Sequence, residues 1–167
     1  MSDIFTATGA KLFIGPSVTS AIDTAAEYGP LAWTEVGMIE TLGEFGDESS
    51  EVTFAVLGDG RIRKAKGARN AGTLAITVAH AAEDTGQEAM IAAEATYNNY
   101  AFKVQLPNRL NATGTDELQY FRGLVMSKRQ NVGGNDNVVR RTFNLGVNSE
   151  IVVVAPPRYG VPAVGAT

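Results

Sequence analysis

The sequence predicts an all-β domain with one flanking α-helix, its strands forming two packed antiparallel sheets as a sandwich or barrel. Three observations carry this. Apolar and polar residues alternate with a period of two in segment after segment, which marks half-buried strands. A single segment carries the three- and four-residue spacing of a helix. Glycine is abundant, at 18 of 167 residues, which suits a turn-rich β protein better than a helical one.

The strands can be taken in chain order. "KLFI" near the start and "EVGMIETLGEF" are short candidates. "EVTFAV" sets Val52, Phe54 and Val56 on one side. "TLAITVAH" sets Leu74, Ile76 and Val78 against Thr73, Ala75 and Thr77. "YAFKVQL" alternates Tyr100, Phe102, Val104 and Leu106 with Ala101, Lys103 and Gln105. "QYFRGLVMSKRQ" is a further strand, and the Gly/Asn-rich "NVGGND" is a hairpin signal leading into "VVRRTFNLGV". There Val139, Arg141, Phe143, Leu145 and Val147 oppose Arg140, Thr142 and Asn144. "EIVVVA" is the last candidate. The helix is "EDTGQEAMIAAEATY", where Thr85 and Glu88 have capping-box spacing and Met90, Ala93 and Tyr97 share a face.

One domain, 1–155, accounts for these elements, and the Pro/Gly-rich 156–167 reads as a mobile tail. The composition is globular, with 44% hydrophobic and 19% charged residues. There is no Cys, so disulfides, thiolate metal sites and Cys nucleophiles are excluded together. The N-terminus lacks a signal-peptide pattern and no apolar run approaches the ~20 residues of a membrane helix, so the reading is a soluble protein made in the cytoplasm, without a membrane partner.

Chemistry is hard to find. His80 is the only His and falls at a strand end, which fits a structural role. No G-x-S-x-G elbow accompanies it. "GDGRIRK" lacks phosphate-loop spacing, and "VGGNDN" lacks the ligand pattern of a calcium loop. The expectation is therefore no enzyme, no metal and no cofactor.

Charge is more informative. Residues 40–51 carry Glu40, Glu44, Asp47, Glu48 and Glu51 with no basic residue, and 59–69 carry Arg61, Arg63, Lys64, Lys66 and Arg69 against Asp59 alone. Both read as loops, with one strand between them. The net charge of −4 and the absence of interleaved aromatics argue against nucleic-acid binding by the basic block. A solvated surface is one alternative. The favoured reading pairs the basic block with the acidic block of another copy, so that Glu44, Asp47, Glu48, Glu51, Arg61, Arg63, Lys64, Lys66 and Arg69 lie at a subunit or ring interface.

The order of elements resembles a known family. A strand pair, a charged excursion ending in "KGARNAGTLAITV", the helix opening "AEDTGQEAMIAA", the strand "YAFKVQLP", a Gly/Asn hairpin and "RTFNLGVNSEIVVV" together look like the major tail tube protein of long-tailed bacteriophages, over Lys11 to Ala155. The resemblance implies a virion structural protein whose copies form hexameric rings stacked into a tail tube for DNA ejection. Strands of all six copies would line a common lumen, which DNA traverses without specific binding, and the 44–71 excursion would order on contact with a neighbour. Thr142 and Asn144 are candidates for the lumen side. Tape measure, tail terminator and distal tail proteins are the implied partners. Many family members add an immunoglobulin-like C-terminal domain, whereas only twelve residues follow Ala155 here. The alternatives are a type VI secretion-like tube protein and, from another class, a monomeric β-sandwich ligand-binding module.

Overall fold

The computed structural model describes residues 4–110 and 112–156. The tail at 157–167, expected to be mobile, lies outside the described residues. The chain forms β1 (Lys11–Ser17), α1 (Ala25–Tyr28), β2 (Thr34–Val36), β3 (Ile39–Leu42), β4 (Glu48–Ala55), β5 (Ile62–Asn70), β6 (Thr73–Ala79), α2 (Thr85–Glu94), β7 (Tyr100–Leu106), β8 (Glu117–Asn131), β9 (Arg140–Val147) and β10 (Val152–Val154). The fold is all-β with a flanking helix, and its strands fall into two antiparallel sheets. One sheet has eight strands, in the order β2-β1-β7-β8-β9-β6-β3 with β10 paired to β8; the other is the two-stranded ribbon β4-β5.

Consecutive strands β2 and β3 stand at opposite ends of that order, yet only Gly37 and Met38 separate them. Three Cα steps of about 3.8 Å span at most about 11 Å. The two ends of the sheet are therefore held close, and the sheet curls round its own apolar face. Inside lie Leu12 and Ile14 of β1, Leu74, Ile76 and Val78 of β6, Phe102 and Val104 of β7, Phe121 and Val125 of β8, and Phe143, Leu145 and Val147 of β9. The period of two placed those of β6, β7 and β9 on their buried side. Phe102 and Phe121 stack with centroids 5.4 Å apart.

Helix α2 lies over this core through Met90 and Ala93, both buried, and its first turn sits where the sheet ends meet. Asp84 is the N-cap: its Oδ1 accepts from Gln87 N at 2.8 Å and its Oδ2 from Gly37 N at 3.1 Å. Gln87, 1% exposed, donates from Nε2 to Ala79 O (2.9 Å) and Gly37 O (3.2 Å), and its Oε1 accepts from Ala81 N (3.3 Å). Gly86 is required by proximity, since a Cβ there would fall 2.1 Å from Glu35 O. The expected capping pair Thr85–Glu88 is off by one residue: the extended N-cap residue is Asp84, whose carboxylate accepts from the Gln87 amide, and Thr85 is already the first residue of the helix. Tyr97 does not share the buried face: the helix ends at Glu94, and Tyr97 is fully exposed.

A second helix, α1, was absent from the sequence reading. Its capping box is formed by Thr24 and Glu27, with Glu27 Oε2 accepting from Thr24 N at 3.1 Å. Contacts from Asp23 and Thr24 hold the Glu27 carboxyl below its ordinary pKa. Tyr28 of this helix is buried on the outer side of the sheet, stacked on Tyr120 with Trp33 tilted against the same ring. Beside them Lys103 lies over Phe13 at 4.2 Å, and burial lowers its pKa.

Candidate assembly surfaces

The charged excursion is not two loops. β4 and β5 pair along nearly their whole length, from Glu48 opposite Asn70 to Ala55 opposite Ile62, with an irregularity between Ser49 and Glu51. The sequence obscured this because nearly every residue of the ribbon is exposed. Its strands are set by pairing with each other, not by burial of one face.

Alternation makes the ribbon two-sided. Glu51, Thr53 and Ala55 share a side with Lys66, Lys64 and Ile62, while Val52 and Phe54 share the other with Ala65 and Arg63. One side thus carries Glu51, Lys64 and Lys66 among Thr53, Ala55 and Ile62, and the other is mostly apolar. Phe54 is 69% exposed and Leu57, in the turn, is fully exposed.

The ribbon brings the two charge blocks together within one chain. Lys64 Nζ meets Glu51 Oε2 at 3.0 Å, and Arg69 Nη2 meets Asp47 Oδ2 at 2.9 Å. At the turn, Asp59 accepts from the Arg61 amide (3.0 Å) and from Arg63 Nη2 (3.0 Å), and these bonds, the amide first, lower its pKa. Glu44, Glu48, Arg61 and Lys66 are exposed and form no ion pair among the described residues. Intrachain pairing thus uses Asp47, Glu51, Arg63, Lys64 and Arg69, leaving Arg61 and Lys66 as the ribbon's open cations. The apolar residues Val52, Phe54 and Leu57 were not singled out from the sequence as surface residues. Their alternation inside a charged stretch was the available signal.

A second surface lies on the sheet. Beyond Gly123, β8 has no β7 partner and pairs with β9 alone, while β3 pairs with β6 alone. The panel β8-β9-β6-β3 therefore has two open edges. Its inner side is the core. Its outer side follows from register: Thr73, Ala75 and Thr77 on β6, Thr142, Asn144 and Gly146 on β9, and Ser127 and Arg129 on β8. Thr142 and Asn144 lie on this outer side, opposite Phe143 and Leu145. Asn144 Nδ2 donates to Ser127 Oγ at 3.0 Å, and Thr142 and Thr77 hydroxyls are 3.5 Å apart. At one end Arg140 binds Glu40 through both carboxylate oxygens, lowering the Glu40 pKa and neutralising both charges on that edge.

Concave surface is sparse in small-molecule character. A trough of about 710 Å³ runs beside the ribbon, lined by residues such as Glu48, Glu51, Lys64 and Lys66, and one of about 450 Å³ lies at its root between Arg69 and Glu150. Both are open and polar, unlike enclosed apolar ligand sites. His80 is exposed at the end of β6, where its amide donates to Val139 O at 2.9 Å. No helix among the described residues is long and apolar enough to cross a membrane.

Comparison with known proteins gives the family. A family model described as phage tail tube protein (TTP) matches residues 23–156. Among solved structures, the SPP1 tail tube superposes with a TM-score of 0.61 at 18% identity, over 87% of this chain and 76% of that one. The sheath/tube terminator of the extracellular contractile injection system PVC gives 0.66 at 9% identity, over 92% and 99%. A chain of the anti-feeding prophage baseplate gives 0.63 at 13%, over 93% and 98%. No curated protein matches the chain. The chain belongs to the phage tail tube protein family, and so is a structural component of the virion tail.

Proposed function

We propose that this chain is the repeating subunit of a tail tube, with six copies to a ring, rings stacked head to tail and DNA passing through the lumen. One observation carries the reading: the panel β8-β9-β6-β3 is open at both edges and polar on its outer side. An open edge presents unpaired N–H and C=O groups, and another copy's edge satisfies them. Edge-to-edge pairing of one end of the panel with the other end in the next copy is heterologous, and closes when the rotation allows. Six four-stranded panels would make a barrel of about 24 strands, wide enough for an aqueous channel.

In that barrel the outer side of the panel is the lumen wall, with Thr142 and Asn144 exposed to the channel. Hydroxyls, amides and methyls dominate this side, and the Arg140 charge is neutralised by Glu40. Apart from Arg129, which stands on this side with no ion pair among the described residues, such a wall gives phosphate little to hold, so the cargo slides. The ribbon, with an apolar side that its own chain leaves uncovered, supports contact with another copy. Glu44, Asp47, Glu48, Glu51, Arg61, Arg63, Lys64, Lys66 and Arg69 then lie at or beside that contact. The role is structural, without catalysis, and tail terminator, tape measure and distal tail proteins are its partners at the tube ends and within.

Electron microscopy of the purified protein tests this. Rings or tubes with six-fold symmetry and a central hole are expected. A chain that stays at its monomer mass of 17.6 kDa at high concentration overturns the reading. Asn144→Cys tests the lumen assignment: its thiol reacts with a bulky maleimide in monomers and is protected in capped tubes, and equal reactivity in both overturns it.

A further inference from the structure

On the strands of the large sheet all cations but one are engaged. Lys11 pairs with Glu35, Lys103 lies over the Phe13 ring, Arg122 donates to the Thr19 and Ile22 carbonyls, Lys128 pairs with Glu94, Arg140 with Glu40, and Arg141 donates to Gln130. Arg129 is exposed and has no partner among the described residues.

A backbone irregularity puts Arg129 where it is. Leu124 pairs with Gly146 on the outer side of the panel, so straight alternation would carry Met126 and Lys128 to that side and Arg129 to the inner side. Instead the register shifts between Val125 and Ser127, and Ser127 then pairs with Asn144 and Arg129 with Thr142. One extra residue reverses the parity of the rest of the strand. Lys128, opposite Phe143, is turned inward, where its Nζ meets Glu94 Oε2 of α2 at 3.7 Å, and Arg129 is turned outward. With straight pairing the two cations would exchange sides. The bulge gives the outer side the guanidinium, with its planar fork of donors, and leaves the ammonium to the carboxylate.

Arg129 heads a row of donors. Thr142 lies directly across from it on β9, Thr77 across from Thr142 on β6, and Thr41 across from Thr77 on β3. The register thus draws one guanidinium and three hydroxyls across all four strands of the panel, over about 14 Å at about 4.8 Å per strand. Ser127 and Asn144 flank the row toward one end, and Asn131 and the Arg140–Glu40 pair toward the other. No unpaired carboxylate stands among these neighbours. A row of donors with one uncompensated positive charge is suited to an anion, and a guanidinium fork beside hydroxyls fits phosphate oxygens. Neither the row nor its flanks contain an aromatic residue to stack a base, so the contact is with a phosphate backbone and carries no sequence preference.

We infer that the row Arg129–Thr142–Thr77–Thr41 is a phosphate-contact site for the DNA backbone. This rests on the tube reading above and deepens it. Six copies set six guanidinium groups at one level of a channel wall that is otherwise neutral, although the chain as a whole carries a net charge of −4. DNA then meets one positive level in each ring and advances by exchanging phosphates from level to level. One charge per copy makes each contact weak and salt-sensitive, so the cargo is steadied without being stopped.

Assembled tubes are incubated with a short fluorescent DNA duplex and treated with nuclease, and the protected duplex is measured across a salt series. Wild-type tubes are expected to protect it, less so as salt rises. Arg129→Gln should weaken protection at least about tenfold and reduce the slope of log K against log salt by about one for each guanidinium that touches a phosphate. Arg129→Lys, which keeps the charge and loses the fork, should fall between the two. A second measurement needs no variant: in wild-type tubes the duplex should shield Arg129 from phenylglyoxal, read by mass spectrometry, and leave Arg61 reacting as before. Wild-type tubes that do not protect the duplex, Arg129→Gln tubes that protect it equally, or an Arg129 that the duplex does not shield overturn this inference and leave the tube reading standing. Tubes that retain polyglutamate in place of the duplex overturn it too, and assign the row to an acidic polypeptide. A wild-type protein that forms no tubes overturns the tube reading, and the inference falls with it.

Discussion

Gln87 offers a sharp test of how this fold is held. It is the buried amide at the point where the two sheet ends meet, and it bonds three backbone groups: Gly37 O, Ala79 O and Ala81 N. Gln87→Met keeps length and volume while removing all three bonds. At about 1 kcal/mol net per bond, the loss is about 3 kcal/mol. For a chain of this size each kcal/mol lowers Tm by about 2–4 °C, so the variant should melt about 6–12 °C lower. Gln87→Glu should be worse, because an ionised carboxylate cannot donate to the two carbonyls and brings a charge into a dry site. Assembly stabilises the folded state by mass action. The melts are therefore run on dilute protein verified as monomeric by light scattering. Hydrogen exchange supplies a local readout, since the Ala81 amide loses its acceptor. A Gln87→Met melt within about 2 °C of wild type, with the Ala81 amide still protected, would refute the account of this amide as the tie between the sheet ends.

Three further expectations follow from the same geometry. Gly86→Ala places a Cβ against the Glu35 and Val36 backbone, which cannot rotate aside, so a loss of at least ~1–3 kcal/mol is expected in thermal melts. Phe54→Ser should leave the monomer's Tm within about 2 °C, since the ring is mostly exposed, yet raise the concentration needed for tubes about tenfold, as a buried Phe contributes ~1.5–3 kcal/mol; unchanged assembly by light scattering would refute a docking role for this side. Asp59 has a depressed folded pKa, so its support of the ribbon turn is complete above the ordinary carboxylate value and is lost as pH falls through the folded one. The Arg61 amide resonance should titrate with a midpoint below that of an unstructured Asp, and a midpoint at or above the ordinary value would contradict the hydrogen bonds at the turn.

Much of the architecture was legible because burial writes itself into the sequence. β6 and β9 follow their alternation residue by residue, with Leu74, Ile76, Val78, Phe143 and Leu145 all buried. The helix was legible from the spacing of Met90 and Ala93 and, one residue late, from its capping signal, though its end was not: Thr96 Oγ1 turns back to Ala93 O, and Tyr97 swings into solvent. The box Thr24-x-x-Glu27 was present as a signal for α1, but one turn of helix gives no periodicity to support it. The ribbon was obscured for the opposite reason. Its alternation of Val52 and Phe54 was visible on β4, but β5 reads Arg-Lys-Ala-Lys-Gly-Ala-Arg, and a strand exposed on both sides has no buried face to declare itself. Which charges meet was therefore beyond the sequence, because Lys64–Glu51 and Arg69–Asp47 depend on register. The same holds for the open edges of the panel, which exist only because the β7 pairing reaches no further along β8 than Gly123, opposite Tyr100, while β8 runs on.

The short step from β2 to β3 also bears on how fast a newly made subunit becomes competent. Val36 and Ile39 are near neighbours in sequence, but β3 finds its partner in β6, and β6 finds its own in β9, some seventy positions downstream. Contacts of such range are slow to form, since loop closure costs entropy before any pairing offsets it. The path from β2 to β3 through the curled sheet is joined only after Val147 has been synthesised, and until then β6 and β8 lack the strand that lies between them. In a cell translating many copies at once, ordered maturation of each chain has to outrun premature joining between chains, and the rate of that race is set by the late arrival of β9.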